Sequence, residues 1–245
     1  MRKCFFYLIA VFCSATGKSF AQANLSDSAI YRQAIQNSIV SYYRSVGENA
    51  HLYNGSEYVP YNFQGNFKDL YFESASLQNA SIKYDGIIYY NVPLSYDIYH
   101  DEIIINKYNQ NFRIVLANEK IDSFAFSGYS FIRIVKDSNN TVLPTSGFYQ
   151  ELYNGTVKVL AKRRKKLFEN VTAAGATADF IEDDQYFIKK KGTYYPVHNK
   201  KSTLQVFKDG KKEVQKLLRK NKIKFKPNLE SGIIKAAQYY DQTQN

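Results

Sequence analysis

Apolar and polar side chains alternate along much of the chain, which is the pattern of β-strands with one buried face. From Ser81 to Lys166, short runs of β-branched and aromatic residues alternate with polar residues, and turn residues separate the runs. Asp85-Gly86, Ser127-Gly128 and Asn154-Gly155 each stand between two such runs. These dipeptides tolerate the positive φ that tight hairpin turns require. The pattern therefore predicts an antiparallel meander.

A meander must bury one of its faces, so the predicted fold class is mainly β (α+β), with the strands forming a barrel or a sandwich. We expect this antiparallel β domain to cover residues 51–166. Two near copies, LYNGS at 52–56 and LYNGT at 152–156, indicate a repeated turn rather than a duplicated domain, because their flanking sequences do not match. The glycines predicted to serve structural turns are Gly55, Gly86, Gly128 and Gly155.

Helical spacing replaces alternation towards both ends of the chain. Residues 24–50 are predicted to form an N-terminal helix. Residues 167–184 are small or polar and weakly patterned, so we expect a loop there. Residues 185–245 should form a basic hairpin and then a helical section packed on the β domain, with Ser202 capping its first helix and Pro227 interrupting it.

The first 23 residues carry the features of an export signal. Arg2 and Lys3 precede Cys4–Cys13, an apolar run of ten residues that is too short to span a bilayer. Ala21-Gln22-Ala23 supplies small residues for cleavage after Ala23. No later run approaches about 18 apolar residues, so no transmembrane segment is expected in the mature chain. The expected location is the periplasm or the extracellular face of a bacterium.

Charge is distributed unevenly along the chain. Residues 24–157 contain 9 basic and 13 acidic residues, whereas residues 158–226 contain 20 basic and 7 acidic residues. Clustered cations interleaved with aromatic residues can bind phosphate or carboxylate groups. The residues predicted to bind anions are Lys162, Arg163, Arg164, Lys165, Lys166, Lys189, Lys190, Lys191, Lys212, Arg219 and Lys220.

Three interpretations of these cations remain open. They can form a solvated face that keeps an exported protein soluble. They can contact anionic envelope components, either lipid phosphates or acidic glycans. They can bind nucleic acid, which the export signal makes the less favoured of the two binding interpretations.

Candidate catalytic chemistry is confined to one short segment, DIYHDE at residues 97–102. Asp97, His100 and Glu102 are the candidates for an acid–base pair or for half of a metal site, and the alternative is a solvated bend between two strands. The acidic segment Glu182–Asp184 lacks the spacing of a calcium loop and is interpreted as a polar lead-in to a strand. No metal-ligand pattern, phosphate loop or dinucleotide fingerprint is present, so neither a metal nor a cofactor is expected.

Four segments, LYNGSEY, YDGIIYYNVPLSYD, DEIII and GFYQELYNG, resemble a group of exported proteins from Gram-negative bacteria that have no assigned function. The resemblance covers about residues 50–165, with a weaker similarity in the lysine-rich region that follows. It implies a secreted β-rich fold and supplies no catalytic residues.

The sequence thus favours a non-enzymatic binding or structural module of the bacterial envelope, with the basic C-terminal face as its contact surface. The alternative is a hydrolase that acts on an envelope polymer.

Overall fold

A computed structural model describes residues 26–46, 51–59, 70–108, 110–136, 145–172 and 175–244. The chain divides into two compact units, Met1–Ser45 and Val46–Asn245. The export signal predicted for residues 1–23 lies outside the described residues.

The predicted N-terminal helix is confirmed as α1, which spans Ser26–Val46. Ile30, Tyr31 and Tyr42 on this helix are exposed. None of the helices that the structure describes is both long enough and apolar enough to cross a membrane.

The second unit is mainly β, as the alternation predicts. Its strands are β1 (Ser56–Glu57), β2 (Gln78–Tyr84), β3 (Ile87–Asp97), β4 (Glu102–Asn106), β5 (Arg113–Val115), β6 (Ile121–Phe126), β7 (Tyr129–Ile134), β8 (Gly147–Asn154), β9 (Lys158–Lys162), β10 (Lys165–Thr172), β11 (Gly175–Glu182), β12 (Gln185–Lys190) and β13 (Thr193–Val197). Short 3-10 turns at His51–Tyr53 and Asn118–Lys120 complete this part of the chain.

Eleven of these strands form one antiparallel sheet in the order β1-β5-β4-β3-β2-β6-β7-β8-β9-β12-β13. Most neighbours in the sheet are also neighbours in sequence, which is the arrangement of a meander. β1 and β13 are the two edges of this sheet. Among the described strands the sheet is therefore open, and the predicted barrel is wrong. The edge β13 carries Pro196, whose missing N–H removes one site for further strand pairing.

The loop predicted for residues 167–184 is wrong, because β10 and β11 lie there as a second, two-stranded antiparallel sheet. Gly175 opposes Thr172 at the tip of this ribbon. Residues 173–178 (Ala-Ala-Gly-Ala-Thr-Ala) are small, so they give no alternating hydrophobic pattern from which strands can be predicted.

The boundary predicted at residue 166 is also wrong, since the basic hairpin β12–β13 belongs to the main sheet. β12 pairs antiparallel with β9, and Phe187 lies opposite Leu160 in that register. The two-stranded ribbon is therefore an insertion between β9 and β12, which are neighbouring strands of the main sheet. Sequence proximity could not indicate this pairing, because the ribbon separates the strands along the chain.

Three helices form the C-terminal section: α2 (Lys200–Val206), α3 (Lys211–Lys220) and α4 (Leu229–Gln244). The cap of α2 is Asn199 rather than Ser202: the Asn199 side chain accepts from the Ser202 amide, and the Ser202 hydroxyl accepts from the Asn199 amide. This reciprocal capping box satisfies two amides that have no partner inside the helix.

The helices pack on the end of the sheet formed by β8, β9, β12 and β13. Val159 and Ile188 from the sheet meet Phe207, Leu218 and Ile233 from the helices in one fully buried cluster. On the opposite face, a second buried cluster holds Ile134, Tyr149, Leu160 and Phe187. This end of the sheet is thus buried on both faces.

The centre of the sheet is an aromatic core. Phe124 stacks on Phe131 with ring centroids 4.8 Å apart, and Tyr96 and Phe148 meet the rings of this pair edge to face. Full burial of a Phe side chain contributes roughly 1.5–3 kcal/mol. The aromatic residues of this core therefore stabilise the fold.

The four glycines predicted in turns serve two different purposes. Gly86 and Gly128 have φ of 77° and 83°, as two-residue hairpin turns require. Gly55 and Gly155 lie outside the positive-φ region and are needed for space instead. A Cβ on Gly55 would lie 2.2 Å from the Val115 carbonyl oxygen, and one on Gly155 would lie 2.1 Å from Asp241 Oδ2.

Candidate functional site

The cationic run at residues 162–166 begins inside the sheet rather than beyond it. Lys162 is the last residue of β9 and is 4% exposed. Its ammonium group donates to Asp101 Oδ2 at 2.6 Å and to the Phe148 carbonyl at 3.2 Å. Burial lowers the pKa of Lys162, and the charge of Asp101 opposes that effect. Lys162 is therefore part of a buried ion pair.

Asp101 is built into the turn between β3 and β4 with φ of 60°. It also accepts hydrogen bonds from the Tyr96 hydroxyl at 2.5 Å and from the Phe148 amide at 3.3 Å. Gly147 leaves room for the pair, since a Cβ there would lie 1.9 Å from Asp101 Oδ2 and 2.5 Å from Lys162 Nζ. These contacts make the Asp101–Lys162 pair a structural link between three strands.

Arg163 is a second link and is also nearly buried, with 13% of its side chain exposed. It pairs with Asp184 and, through Nη2, with Glu230 Oε2 at 2.8 Å, while Nε donates to Gln150 Oε1 at 2.6 Å. Burial lowers the pKa of Arg163, but the two carboxylates outweigh it and raise the pKa overall. Arg163 thus joins the sheet to the β11–β12 connection and to α4.

The remaining three cations of the run face the acidic segment Glu182–Asp184. The β10–β11 ribbon places Lys165 directly opposite Glu182, which brings the basic and acidic segments together. The segment therefore supplies counter-charge to the run, and every cation from 162 to 166 has a carboxylate partner. The distances are Arg164 Nε to Asp183 Oδ2 3.8 Å, Lys165 Nζ to Glu182 Oε1 3.4 Å and Lys166 Nζ to Asp183 Oδ1 2.9 Å.

The basic hairpin divides its three predicted lysines. Lys189 lies over the Tyr194 ring, 4.9 Å from its centroid. Lys190 donates to both oxygens of Asp209, at 2.6 and 2.9 Å, and lies 4.5 Å from the Tyr240 ring centroid. The hydrogen bond from Lys190 is the main reason that the pKa of Asp209 is lowered. Lys191 is exposed at the tip of the hairpin with φ of 49°.

The exposed cations are on α3. Val214 and Leu218 are buried against the other helices, which fixes the face that α3 turns to solvent. At 100° per residue, four cations fall within about 100° of arc on that outer face. We call them the α3 stripe: Lys212, Lys216, Arg219 and Lys220. All four are exposed, and none forms a salt bridge within the part of the chain that the structure describes.

The predicted anion-binding residues therefore separate into two groups. Six have carboxylate partners: Lys162, Arg163, Arg164, Lys165, Lys166 and Lys190. Lys189, Lys191, Lys212, Arg219 and Lys220 make no salt bridge among the described residues. The sequence analysis missed Lys216, although its spacing of four residues from Lys212 indicates that both share a helix face.

The surrounding segment adds to the positive field of the stripe. Residues 200–226 contain 11 basic and 2 acidic residues. One of those two, Asp209, is held by Lys190. The exposed cations of this segment outside the stripe are Lys201, Lys208, Lys211, Lys222, Lys224 and Lys226.

The structure brings together two of the three candidate catalytic residues. Asp97 is fully buried at the end of β3, and its Oδ2 lies 2.8 Å from His100 Nδ1. Asp97 also accepts from the His100 amide at 2.9 Å and from the Tyr58 hydroxyl at 3.1 Å. Burial and, after it, the hydrogen bond with the Tyr71 hydroxyl and the charge of Asp97 raise the pKa of Tyr58, so its hydroxyl stays protonated and can donate. Asp97 therefore fixes the orientation of the His100 ring.

His100, with 34% of its side chain exposed, lines a polar cleft of about 590 Å³. Arg133, Arg164 and Ser146 line the same cleft. Glu102 pairs in register with Asp97 at the start of β4 and does not line the cleft. Burial raises the pKa of Glu102. The predicted group of three is thus a pair, Asp97 and His100, with Glu102 outside it.

No group of three or more His, Cys, Asp or Glu side chains among the described residues is arranged to hold a metal ion. Comparison of the chain with protein-family models, with curated proteins and with solved structures finds no match.

Proposed function

We propose that this chain is an exported, non-enzymatic binding module of the bacterial envelope and that it holds anionic envelope components on the α3 stripe. The ligand chemistry is a dense array of phosphate or carboxylate groups, supplied by lipid headgroups or by acidic glycans. Attraction between such an array and four exposed cations is long-ranged at low salt and does not depend on a shaped pocket.

One observation carries this proposal: the α3 stripe presents four exposed cations that have no carboxylate partners among the described residues. Interspersed charges of both signs are what solubility alone favours on a protein face. On α3 the acidic residue of the first turn, Glu213, lies outside the arc of the stripe.

Part of the stripe weakens its own helix, whereas Arg219 and Lys220 lie in the last turn, where the helix dipole favours cations. Lys212 with Lys216, and Lys216 with Lys220, are like-charge pairs four residues apart, each costing roughly 0.2–0.5 kcal/mol. Lys212 additionally lies in the first turn, where the helix dipole disfavours a cation. A ligand with negative charge would remove both costs, which favours binding over a purely structural role.

The experiment measures binding to vesicles of phosphatidylglycerol and to polygalacturonate, with phosphatidylcholine vesicles as the uncharged reference. Replacing all four stripe residues with Glu should abolish binding to the anionic vesicles and strongly weaken binding to polygalacturonate. A control variant with Lys212→Arg, Lys216→Arg, Arg219→Lys and Lys220→Arg keeps the charge and should bind as the unmodified chain does. Undiminished binding by the Glu variant would overturn the proposal.

A second function, hydrolysis of an ester bond in an envelope polymer, is favoured by the Asp97–His100 pair at the polar cleft. In that reaction His100 would accept a proton from the water that adds to the ester carbonyl and return it to the alkoxide oxygen as the carbon–oxygen bond to the alcohol breaks, and Asp97 would be its positioning residue. Arg133 and Arg164 in the same cleft could bind an anionic substrate.

A chromogenic acetate ester is the probe for this second function. Turnover that disappears in His100→Asn, falls strongly in Asp97→Asn and persists in Glu102→Gln would support it. Absence of turnover, or turnover that His100→Asn leaves unchanged, would exclude this cleft as the site of such a reaction.

A further inference from the structure

We infer that the groove between the β12–β13 hairpin and α2 is a subsite for an acidic polysaccharide chain. This inference rests on the proposed function and assigns one of its two ligand sources. The groove has a volume of about 490 Å³. The residues that carry the inference are Lys191, Thr193, Tyr195, Gln205 and Lys208, all of which line it.

The groove has firm walls. Lys190 donates to the Val206 carbonyl at 3.1 Å and to Asp209 at 2.6 Å, so it ties the hairpin to the C-terminal end of α2 and the turn that follows. The hydroxyl of Tyr240 on α4 donates to the same Asp209 at 2.9 Å. Because these bonds already hold the walls of the groove in place, binding of a ligand should cost little conformational entropy.

Tyr195 gives the groove an aromatic surface. It lies on the edge strand β13 with 39% of its area exposed, whereas Tyr84, Tyr96 and Tyr149 in the interior of the same sheet are fully buried. The face of an aromatic ring can pack against the C–H face of a sugar ring, while the hydroxyl groups of the sugar remain available for hydrogen bonds. Thr193 and Gln205 are exposed beside it and can supply those bonds.

Two cations give the groove its charge selectivity. Lys191 and Lys208 are exposed and make no salt bridge within the described residues. The charge of Lys190 is already matched by Asp209. A chain of uronic acid residues offers both a carboxylate for these ammonium groups and a sugar face for Tyr195.

The shape and lining of the groove distinguish this ligand from the alternatives. A bilayer surface is flat and cannot follow a concave groove. Single-stranded nucleic acid is held by successive aromatic side chains that each stack on a base, and Tyr195 is the one exposed aromatic residue lining this groove. Lys208 also lies in the turn that leads to α3, so a long polymer could continue from the groove onto that helix.

The test measures the affinity of the unmodified chain for oligogalacturonate by calorimetry. Tyr195→Ala should weaken binding about tenfold, which corresponds to the loss of one stacking contact. Tyr195→Phe keeps the ring and should bind as the unmodified chain does. Tyr90→Ala removes a tyrosine of similar exposure (49%) on β3 and should have no effect.

Parallel measurements separate this inference from the proposed function. Phosphatidylglycerol vesicles should bind Tyr195→Ala and the unmodified chain equally well. If oligogalacturonate binding depends on the α3 stripe and not on Tyr195, the subsite is wrong while the proposed function stands. If single-stranded DNA binds more tightly than oligogalacturonate and depends on Tyr195, the groove is a nucleic-acid site and the assignment to a polysaccharide is wrong.

Discussion

Two regions of the molecule are rich in basic residues: the cationic run at residues 162–166 and the α3 stripe. They differ in the groups that surround their charges. The run lies where β9 of the main sheet leads into the β10–β11 ribbon, and all five of its cations have carboxylate partners. The stripe lies on the outer face of an amphipathic helix and has none among the described residues. The difference shows that a cluster of basic residues in the sequence can be neutralised by the fold in one place and left unpaired at the surface in another.

The energetic roles of the two regions follow from this difference. A buried ion pair such as Lys162–Asp101 links elements, and loss of one partner leaves an uncompensated charge in the interior. An exposed cation on α3 keeps its hydration and contributes little to folding. The run is therefore a stability feature, and the stripe is available for a ligand.

The largest expected effect comes from breaking the buried pair. Lys162→Met should lower the free energy of unfolding by roughly 3 kcal/mol, because Asp101 loses its cation. Lys216→Met, the matched change on the stripe, should raise it by at most about 1 kcal/mol, because it relieves the two like-charge pairs that Lys216 forms with Lys212 and Lys220. Urea unfolding of both variants gives the comparison.

A double variant sharpens this result. Lys162→Met combined with Asp101→Asn should recover part of the lost stability, since the unpaired charge is removed. Equal effects of Lys162→Met and Lys216→Met would contradict the division between paired and unpaired cations.

A smaller effect is expected when a partner of the run is removed. Asp183→Asn should free Arg164 and Lys166, which are partly exposed, and so convert part of the run into unpaired charge. Affinity for polygalacturonate should then rise about two- to threefold at low salt, and the gain should vanish at high salt. The control is Asp122→Asn, which removes an exposed carboxylate paired with Lys83 far along the chain, and unchanged affinity is expected there.

The smallest effect concerns the pH dependence of stability. Because Lys190 lowers the pKa of Asp209 below its usual 3.8, the ionised Asp209 stabilises the fold above that pH. This contribution is lost as the pH falls below about 4 and passes through the lowered pKa. Asp209→Asn should therefore show a shallower loss of stability between about pH 4 and pH 2 than the unmodified chain. A curve parallel to that of the unmodified chain would show that the Lys190–Asp209 bond does not stabilise the fold in solution.

Much of the fold could be predicted because hairpins are local. Asp85-Gly86 and Ser127-Gly128 mark their turns with residues that accept positive φ, and the strands on each side alternate. The β10–β11 ribbon could not be predicted, since its small residues carry no periodicity. The pairing of β12 with β9 could not be predicted either, because nothing in a single sequence indicates which distant strands meet.

The candidate site was only partly predictable for the same reason. The composition of residues 158–226 indicates a basic region, but the partners of the run are Asp101, Glu182, Asp183, Asp184 and Glu230, which are distant in sequence. Only their placement in three dimensions shows which cations are neutralised. The α3 stripe required no distant information, because helical spacing alone places Lys216 beside Lys212 and Lys220.

The salt dependence of polygalacturonate binding tests the central claim most directly. One variant replaces Lys212, Lys216 and Lys220 with Gln, and the other replaces Arg164, Lys165 and Lys166 with Gln, so each removes three charges. We expect the α3 variant to lose most of its affinity and most of its dependence on salt concentration, because attraction between exposed charges is what salt screens. We expect the run variant to keep both. Equal losses in the two variants, or a larger loss in the run variant, would contradict the account.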